Sequence, residues 1–166
     1  MIMKIGIMSD SHDNMDKVAR AVELFNQHGV EKVLHAGDIV APFVTRPLKK
    51  LNCQVLAVFG NNDGEKLYLK ENFETINRVG EVREPPLTFE LGGKRFYLTH
   101  WPHQLDILAR SAEFDVIVYG HTHDIDIRRV GETLIINPGE TGGWLREKAT
   151  VVVLDLETME PELLEL

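Results

Sequence analysis

Polar residues that can bind metal ions follow the ends of five apolar runs in this sequence. They are Asp10, His12, Asp38, Asn61, His100, His121 and His123. In open α/β sheets, ligands bind beyond the carboxyl ends of the strands, where neighbouring loops converge. Because all five runs end in residues of this kind, the sequence predicts that the seven side chains form one site.

The chemical types of these side chains indicate the metals that they suit. The set contains two carboxylates, four imidazoles and one amide oxygen, which exceeds the roughly four to six positions of a single ion. Two ions would use the whole set if one carboxylate bridges them. The lack of thiolate and the abundance of imidazole favour Mn, Fe, Co, Ni or Zn over Ca or Mg. We therefore expect two divalent metal ions as cofactors.

Local spacing favours the same interpretation. The pairs Asp10–His12 and His121–His123 are each separated by one residue. In extended backbone, side chains at i and i+2 point to the same side. The spacing predicts that both members of each pair reach one pocket.

The elements that must position these residues can also be predicted. Apolar, β-branched runs predict strands at residues 3–8, 32–35, 54–59, 87–91, 95–99, 116–119, 125–130, 134–136 and 150–156. Amphipathic patterns predict helices at residues 14–28, 42–51, 65–73 and 103–112. The order predicts an α/β fold in which two mixed sheets form a sandwich flanked by helices. The strand-dense second half is expected to form or extend the second sheet.

Composition narrows the class of protein and of partner. The 166 residues suit a single domain spanning 1–166. The sequence has no apolar run of about 18 residues, and its one cysteine, Cys53, fits a reducing compartment, so we expect a cytoplasmic protein without a membrane partner. A net charge of -8 disfavours long nucleic acid. A small anionic substrate fits if bound metal supplies positive charge.

Two further polar residues receive structural interpretations. His35 lies within an apolar strand, so we expect a hydrogen-bonded histidine of the core. Asp63 precedes a predicted helix, and its expected role is to cap that helix, with orientation of Asn61 as the alternative.

Five motifs carry a resemblance to a known family. "SDSHDN", "HAGD", "FGNND", "LTH" and "YGHTH" occur in the order and spacing of the calcineurin-like metallophosphoesterases. The chain most resembles their small YfcE-like phosphodiesterases, and the resemblance extends to "NPGE" at residues 137–140. It implies a two-sheet αββα sandwich with a dinuclear metal centre.

The resemblance also implies a role for each candidate ligand. The first metal would be held by Asp10, His12, Asp38 and His123. The second would be held by Asp38, Asn61, His100 and His121. Asp38 would bridge the two ions, and a hydroxide shared by the ions would attack the phosphorus of a small phosphodiester.

One departure from the family concerns proton delivery. Relatives often have histidine after the "GN" of the third motif, placed to protonate the leaving group, whereas this chain has Asn62. An amide can hydrogen-bond but cannot supply a proton at neutral pH. His103 is the candidate for the missing acid, with a solvent-facing residue at a helix start as its alternative. Trp101 also stands where glycine is common. Trp101 and Trp144 are candidates for the walls of a substrate pocket, with core or surface packing as the alternative for each.

Other functions remain open at this point. The same site could hydrolyse phosphomonoesters, although the missing acid favours diesters, because a monoester depends more on help to its leaving group. The fold also resembles a eukaryotic retromer subunit that acts as a protein-binding scaffold with an incomplete metal site. All seven ligand positions are filled here, which favours an enzyme. An edge strand of the second half could support a homo-oligomer.

Overall fold

The computed structural model describes residues 3–166 and contains two β-sheets. The first sheet has six strands in the order β11-β10-β1-β2-β3-β4. Its strands are β1 (Lys4–Met8), β2 (Lys32–His35), β3 (Gln54–Val58), β4 (Gly80–Arg83), β10 (Thr150–Asp155) and β11 (Glu160–Glu165). Strands β1 to β4 run parallel to one another, whereas β10 and β11 are antiparallel to their neighbours. The carboxyl ends of β1, β2 and β3 therefore lie at one edge.

The second sheet has five strands in the order β5-β6-β7-β9-β8. Its strands are β5 (Leu87–Leu91), β6 (Lys94–Leu98), β7 (Val116–Val118), β8 (Ile125–Val130) and β9 (Thr133–Pro138). The three central strands β6, β7 and β9 are parallel, and each edge strand is antiparallel to its neighbour. Both sheets are thus mixed.

The first helix agrees with its predicted range to within one residue at each end, whereas the other helices are several residues shorter than the sequence patterns predict. They are α1 (Met15–Gln27), α2 (Thr45–Leu48), α3 (Lys66–Glu71) and α4 (Leu105–Arg110), with a 3₁₀ turn at Pro42–Val44 and a π-helical turn at Asn72–Ile76. Asn14 caps α1, because its side chain accepts a hydrogen bond of 3.2 Å from the Lys17 amide. After α1, Gly29 adopts φ +67°, as expected beyond a helix end. None of the helices in residues 3–166 is long and apolar enough to span a membrane.

Three apolar clusters define the layers. One buries Val18, Val22 and Phe25 of α1 against the outer face of the first sheet. A second lies between the sheets, where alternate residues of β1 meet alternate residues of β7. The third packs Leu105 and Ala109 of α4 on the second sheet. The order helix, sheet, sheet, helix confirms the αββα sandwich.

The structure differs from the sequence prediction at the end of the chain. β10 and β11 complete the first sheet instead of extending the second, because β10 pairs with β1 from Lys4↔Asp155 to Ile7↔Val152. Residues Thr150–Leu154 of β10 are all buried. A fully buried apolar run does not indicate to which of the two sheets its strand belongs. β4 and β11 were not predicted at all. β11 has a mostly exposed, glutamate-rich sequence at the edge of the sheet.

Candidate metal centre

All seven candidate ligands lie at one end of the sandwich. Each follows the carboxyl end of one of the parallel strands β1, β2, β3, β6 and β7. The two sheets face each other there, so the loops of both contribute to the same cluster. The structure thus brings together all the residues that the sequence selected, and it separates them into two groups that meet at Asp38.

The inner group consists of Asp10, His12, Asp38 and His123. One ligand atom from each of these four residues lies within 4.8 Å of the others. His12 Nε2 is 3.4 Å from Asp38 Oδ2, and His123 Nε2 is 3.4 Å from Asp10 Oδ1. The two aspartates are buried. This arrangement has the donor types and the compactness of a divalent-metal site.

The outer group consists of Asn61, His100 and His121. Asn61 Oδ1 lies 2.9 Å from both His100 Nε2 and His121 Nδ1. His100 Nε2 is also 3.6 Å from Asp38 Oδ2. His100 is buried, whereas Asn61 is exposed. Asp38 Oδ2 therefore stands between the two groups, close to one histidine of each.

The prediction that extended backbone directs both members of each pair into one pocket is wrong. Asp10 and His12 adopt φ of 51° and 39°, and His121 and His123 adopt 70° and 61°, so none of them is extended. Left-handed turns are strained for residues with a Cβ and occur often at functional sites. His121 and His123 also separate, since His121 joins the outer group and His123 the inner one.

Buried polar atoms without hydrogen-bond partners indicate whether the inner group fits a metal ion. Among the described residues, two buried side-chain atoms have no hydrogen-bond partner, and they are Asp10 Oδ1 and His12 Nε2. A buried polar atom without a partner costs about 1–3 kcal/mol. Both atoms point into the inner group, where a cation would satisfy them, so the residues present fit a metal ion.

Neighbouring charges support this fit. Burial of Asp10 would raise its pKa, but interaction with His12 and the 2.5 Å hydrogen bond from Ser9 Oγ outweigh burial and lower it. Asp10 therefore stays a carboxylate. Burial, and then the charge of His100, lowers the pKa of His121, which keeps its imidazole neutral and able to donate a lone pair.

Glu140 is a buried residue that the ligand prediction missed. Its Oε2 lies 2.7 Å from His123 Nδ1, and its Oε1 accepts the backbone N–H groups of Leu145 and Arg146. A carboxylate on the second nitrogen of a metal-binding histidine fixes its tautomer and orientation. A signal was present in the sequence, because Glu140 follows the end of the parallel strand β9 as the other candidates follow theirs.

Asp63 and His35 hold the backbone around Asp38. Asp63 is buried and accepts the N–H groups of Asp38 at 3.1 Å, Gly60 at 2.7 Å and Val40 at 2.6 Å. The predicted helix cap is wrong, since α3 begins after Glu65 without any side-chain cap. Asp63 instead joins the β2 and β3 loops.

His35 is a hydrogen-bonded core histidine, as predicted. Its Nδ1 accepts the Gly37 N–H at 3.1 Å, so its Nε2 carries the proton that faces Ser11 Oγ at 3.0 Å. Complete burial lowers the pKa of His35 to about 4. It therefore links the β2 loop to the residue between Asp10 and His12 as a neutral group.

Two glycines allow the loops to approach one another. A Cβ on Gly60 would collide with Asp38, and a Cβ on Gly120 would lie 2.7 Å from Asp10 Oδ2 as well as against Ser9 Oγ. Neither glycine has positive φ. Close approach, and not turn geometry, explains why these two positions hold glycine.

The two candidate catalytic residues occupy different places. Asn62 caps both oxygens of Asp38, with its backbone N–H 2.8 Å from Oδ1 and its Nδ2 2.8 Å from Oδ2. His103 is exposed and stacks on Trp101 with 5.9 Å between ring centroids. Trp101 in turn contacts the His121 ring at 4.8 Å. His103 thus approaches the outer group through one intervening aromatic ring.

The sequence profile of the calcineurin-like phosphoesterase superfamily domain matches residues 3–159. The chain belongs to this superfamily. It is therefore a metal-dependent phosphoester hydrolase by family, and the resemblance carried by the five motifs is confirmed.

Individual relatives agree with this assignment. A Methanocaldococcus jannaschii protein named phosphodiesterase MJ0936 is 41% identical over 160 residues, which cover 95% of this chain and 96% of the relative. Phosphodiesterase YfcE of Escherichia coli is 30% identical over 155 residues, covering 83% and 79% of the two chains. Both relatives align with this phosphoesterase over most of their length.

Solved structures show the same fold. A structure described as a novel archaeal phosphodiesterase superposes with a TM-score of 0.92 at 40% identity, covering 99% of this chain and all of that one. Vps29 of Chaetomium thermophilum superposes with a TM-score of 0.69 at 14% identity, covering 99% and 96%. At that identity the likeness to Vps29 concerns the fold alone.

Proposed function

We propose that this phosphoesterase uses two divalent metal ions to hydrolyse a small phosphodiester. The observation that carries the proposal is the position of Asp38 Oδ2, which lies 3.4 Å from His12 Nε2 and 3.6 Å from His100 Nε2. One carboxylate oxygen shared by two histidine-rich groups is the arrangement that a bridging ligand requires. The names of the relatives, both called phosphodiesterases, support the diester.

Each group would hold one ion. Asp10, His12, Asp38 and His123 would bind the first, and Asp38, Asn61, His100 and His121 the second. Nitrogen and oxygen donors without thiolate favour Mn, Ni, Fe, Co or Zn. When bound, the pair would lower the pKa of a shared water to form the attacking hydroxide and would neutralise the phosphate oxygens.

The chain's own residues would prepare this chemistry. Glu140 fixes His123 Nδ1 as the protonated nitrogen, so that Nε2 presents its lone pair to the inner group. Asp63 and His35 hold the loops that carry Asp38 and Asp10. Because the first and last strands of residues 1–166 belong to one sheet, we treat this span as one catalytic domain.

Proton delivery to the leaving group is the part that Asn62 cannot supply. His103 is our candidate, supported by its stacking on Trp101 beside the outer group. A positioned general acid is typically worth about 10²–10⁴-fold. Without such an acid the enzyme would prefer diesters with weakly basic leaving groups.

The metal-dependent function is tested by elemental analysis of purified protein and by turnover of bis-p-nitrophenyl phosphate. We expect up to two bound ions and hydrolysis that requires added Mn or Ni. Phosphomonoesters are compared in the same assay, with slower turnover expected. Protein that binds no divalent ion and hydrolyses no ester would overturn the proposal and favour a binding role.

The role of His103 is tested separately with aryl diesters of increasing leaving-group basicity. His103→Ala should lose the most activity on the most basic leaving group, because that group depends most on a proton donor. His28→Ala, at the far end of α1, serves as the control. A loss that is equal across the series would show that His103 is not the acid.

A further inference from the structure

Trp144 is a large apolar side chain that is exposed and yet held in place. It is 63% exposed, while its Nε1–H donates a 3.0 Å hydrogen bond to the backbone oxygen of His12. The polar end of the indole is therefore already satisfied. What remains open to solvent is therefore mainly the apolar ring.

The segment that carries Trp144 is fastened to the metal centre on both sides. The Gly142 N–H donates to the backbone oxygen of Asp10 at 3.0 Å, and the Gly142 backbone oxygen accepts from Asn14 Nδ2 at 2.7 Å. After Trp144, the Leu145 N–H is held by the buried Glu140 carboxylate at 2.7 Å. Asp10 and Asn14 belong to the first motif, and Glu140 contacts His123. These hydrogen bonds therefore keep the indole in a fixed place beside the inner group.

A fixed, exposed aromatic face next to the proposed phosphate site suits a ligand that carries a planar ring. A diester carries two substituents, and on a phosphate bound at the inner group one of them would lie near His12, whose backbone oxygen the Trp144 indole contacts. Planar rings stack on indole, and loss of such a platform typically reduces binding by about 5- to 150-fold per base. Rigid placement adds to the effect, because less freedom is lost when the ligand binds.

We propose that Trp144 is a stacking platform for a nucleobase, so that the substrate class is a small phosphodiester of a nucleoside. This inference rests on the proposed function for the position of the phosphate. The net charge of -8 fits a mononucleoside or dinucleotide better than a long polynucleotide.

Two substrates with the same leaving group provide the kinetic test. Methyl p-nitrophenyl phosphate and thymidine 5′-(p-nitrophenyl) phosphate release the same phenolate and differ only in the group that remains. Trp144→Leu should lower kcat/KM for the thymidine ester about tenfold and leave the methyl ester nearly unchanged. Trp144→Phe, which keeps a ring but loses the N–H, should retain most of the thymidine preference.

The matched control is Leu145→Ala, which removes the neighbouring side chain, also 67% exposed. It should not change the ratio between the two substrates. If Trp144→Leu lowers both substrates equally, Trp144 only supports the His12 loop and the platform is wrong. If Leu145→Ala changes the ratio as much as Trp144→Leu, general apolar contact explains the preference.

A binding measurement separates this inference from the catalytic proposal. The chain has two tryptophans, so their indole N–H signals can be assigned by NMR with the Trp144→Leu variant. Adenosine 5′-monophosphate should shift the Trp144 signal in metal-loaded protein, and ribose 5-phosphate should not. A shift of Trp101 alone, or equal shifts with both ligands, would overturn the platform even if turnover is observed. A base-dependent Trp144 shift without turnover would keep the platform and reject the hydrolase.

Discussion

The inner and outer groups use the same kinds of side chain but are held in different ways. In the inner group both aspartates are buried, and the histidine at position 123 is oriented by the Glu140 carboxylate. In the outer group His100 Nδ1 is oriented by the neutral backbone oxygen of Ala36 at 2.8 Å. The inner group leaves two buried atoms without partners, whereas Asn61, His100 and His121 contact one another.

This difference indicates that the inner group is already arranged to bind a cation, whereas the outer group would have to rearrange. The inner group would gain favourable contacts by binding a cation, since Asp10 Oδ1 and His12 Nε2 have no hydrogen-bond partner among the described residues. The outer group would first have to give up the contact between His121 Nδ1 and Asn61 Oδ1, and its Asn61 is open to solvent. We expect the inner ion to bind more tightly and the outer ion to exchange with the medium.

The largest expected effect comes from removing one ligand of each group. Asp10→Asn should lower activity by more than the ~100-fold typical of a supporting residue, and added Mn should not restore it. Asn61→Ala should lose activity at limiting Mn and regain much of it at high Mn. The measurement is the rate on bis-p-nitrophenyl phosphate across Mn concentrations, with bound metal determined in parallel. Equal rescue of both variants would remove the distinction between the groups.

A smaller effect is expected from the residue that supports only the inner group. Glu140→Gln replaces the acceptor facing His123 by an amide and should weaken metal binding or activity by about 10–100-fold. Glu147→Gln, an exposed change in the same segment, is the control. Isothermal titration with Mn should show the loss in the tighter of two binding events. If the weaker event changes instead, the assignment of Glu140 to the inner group is wrong.

The lowered pKa of the buried His35 predicts how the free energy of unfolding depends on pH. Its folded pKa of about 4 lies below the ordinary value of about 6.5. The unfolded chain therefore binds the extra proton, and stability is lost as the pH falls from about 6.5 towards 4. Between about pH 7.5 and pH 5 this costs about 2 kcal/mol of unfolding free energy.

His35→Gln tests that expectation because it keeps hydrogen-bonding groups and does not titrate. Urea unfolding of metal-free protein at the two pH values should show a loss about 2 kcal/mol smaller in the variant than in the wild type. All other titrating groups are common to both proteins, so most of their contribution cancels in the comparison. Identical losses would mean that His35 is not held neutral.

The smallest effect concerns Asn62, which lies over the carboxylate shared by the groups. Asn62→His removes the 2.8 Å bond to Asp38 Oδ2 and introduces a proton donor. Activity on p-nitrophenyl diesters should fall slightly, while the ratio of phenyl to p-nitrophenyl turnover should rise about tenfold, less than a fully positioned acid provides. Asn62→Ala gives the control without the new acid. An unchanged ratio in Asn62→His would show that this position cannot reach the leaving group.

The candidate ligands were predictable because their signal is local. A polar residue just beyond an apolar run can be recognised in the sequence itself. Parallel strands then place such residues at one edge of the sheet. The five motifs and the αββα order followed from this signal and from the family resemblance.

Other features depend on contacts that no local pattern contains. The partner of β10 is β1, far away in sequence, and both faces of β10 are apolar. Asp63 resembles a helix cap because it precedes a predicted helix. Its hydrogen bonds instead reach the backbone of the β2 loop, which is distant in sequence and so leaves no local signal. The left-handed turns at His121 and His123 are imposed by the surroundings, since local preference opposes them.

The pairing of β1 with β10 sets the order in which the centre can assemble during synthesis. The Thr141 N–H donates to the backbone oxygen of Ser9 at 2.8 Å, so the first motif is completed by residues that are synthesised much later. At about 5–20 residues per second, the first motif waits for seconds before Glu140 and β10 emerge. A nascent chain therefore cannot hold the inner group in its final form until Glu140 and β10 have been made, and an ion at the inner group would be captured only after that.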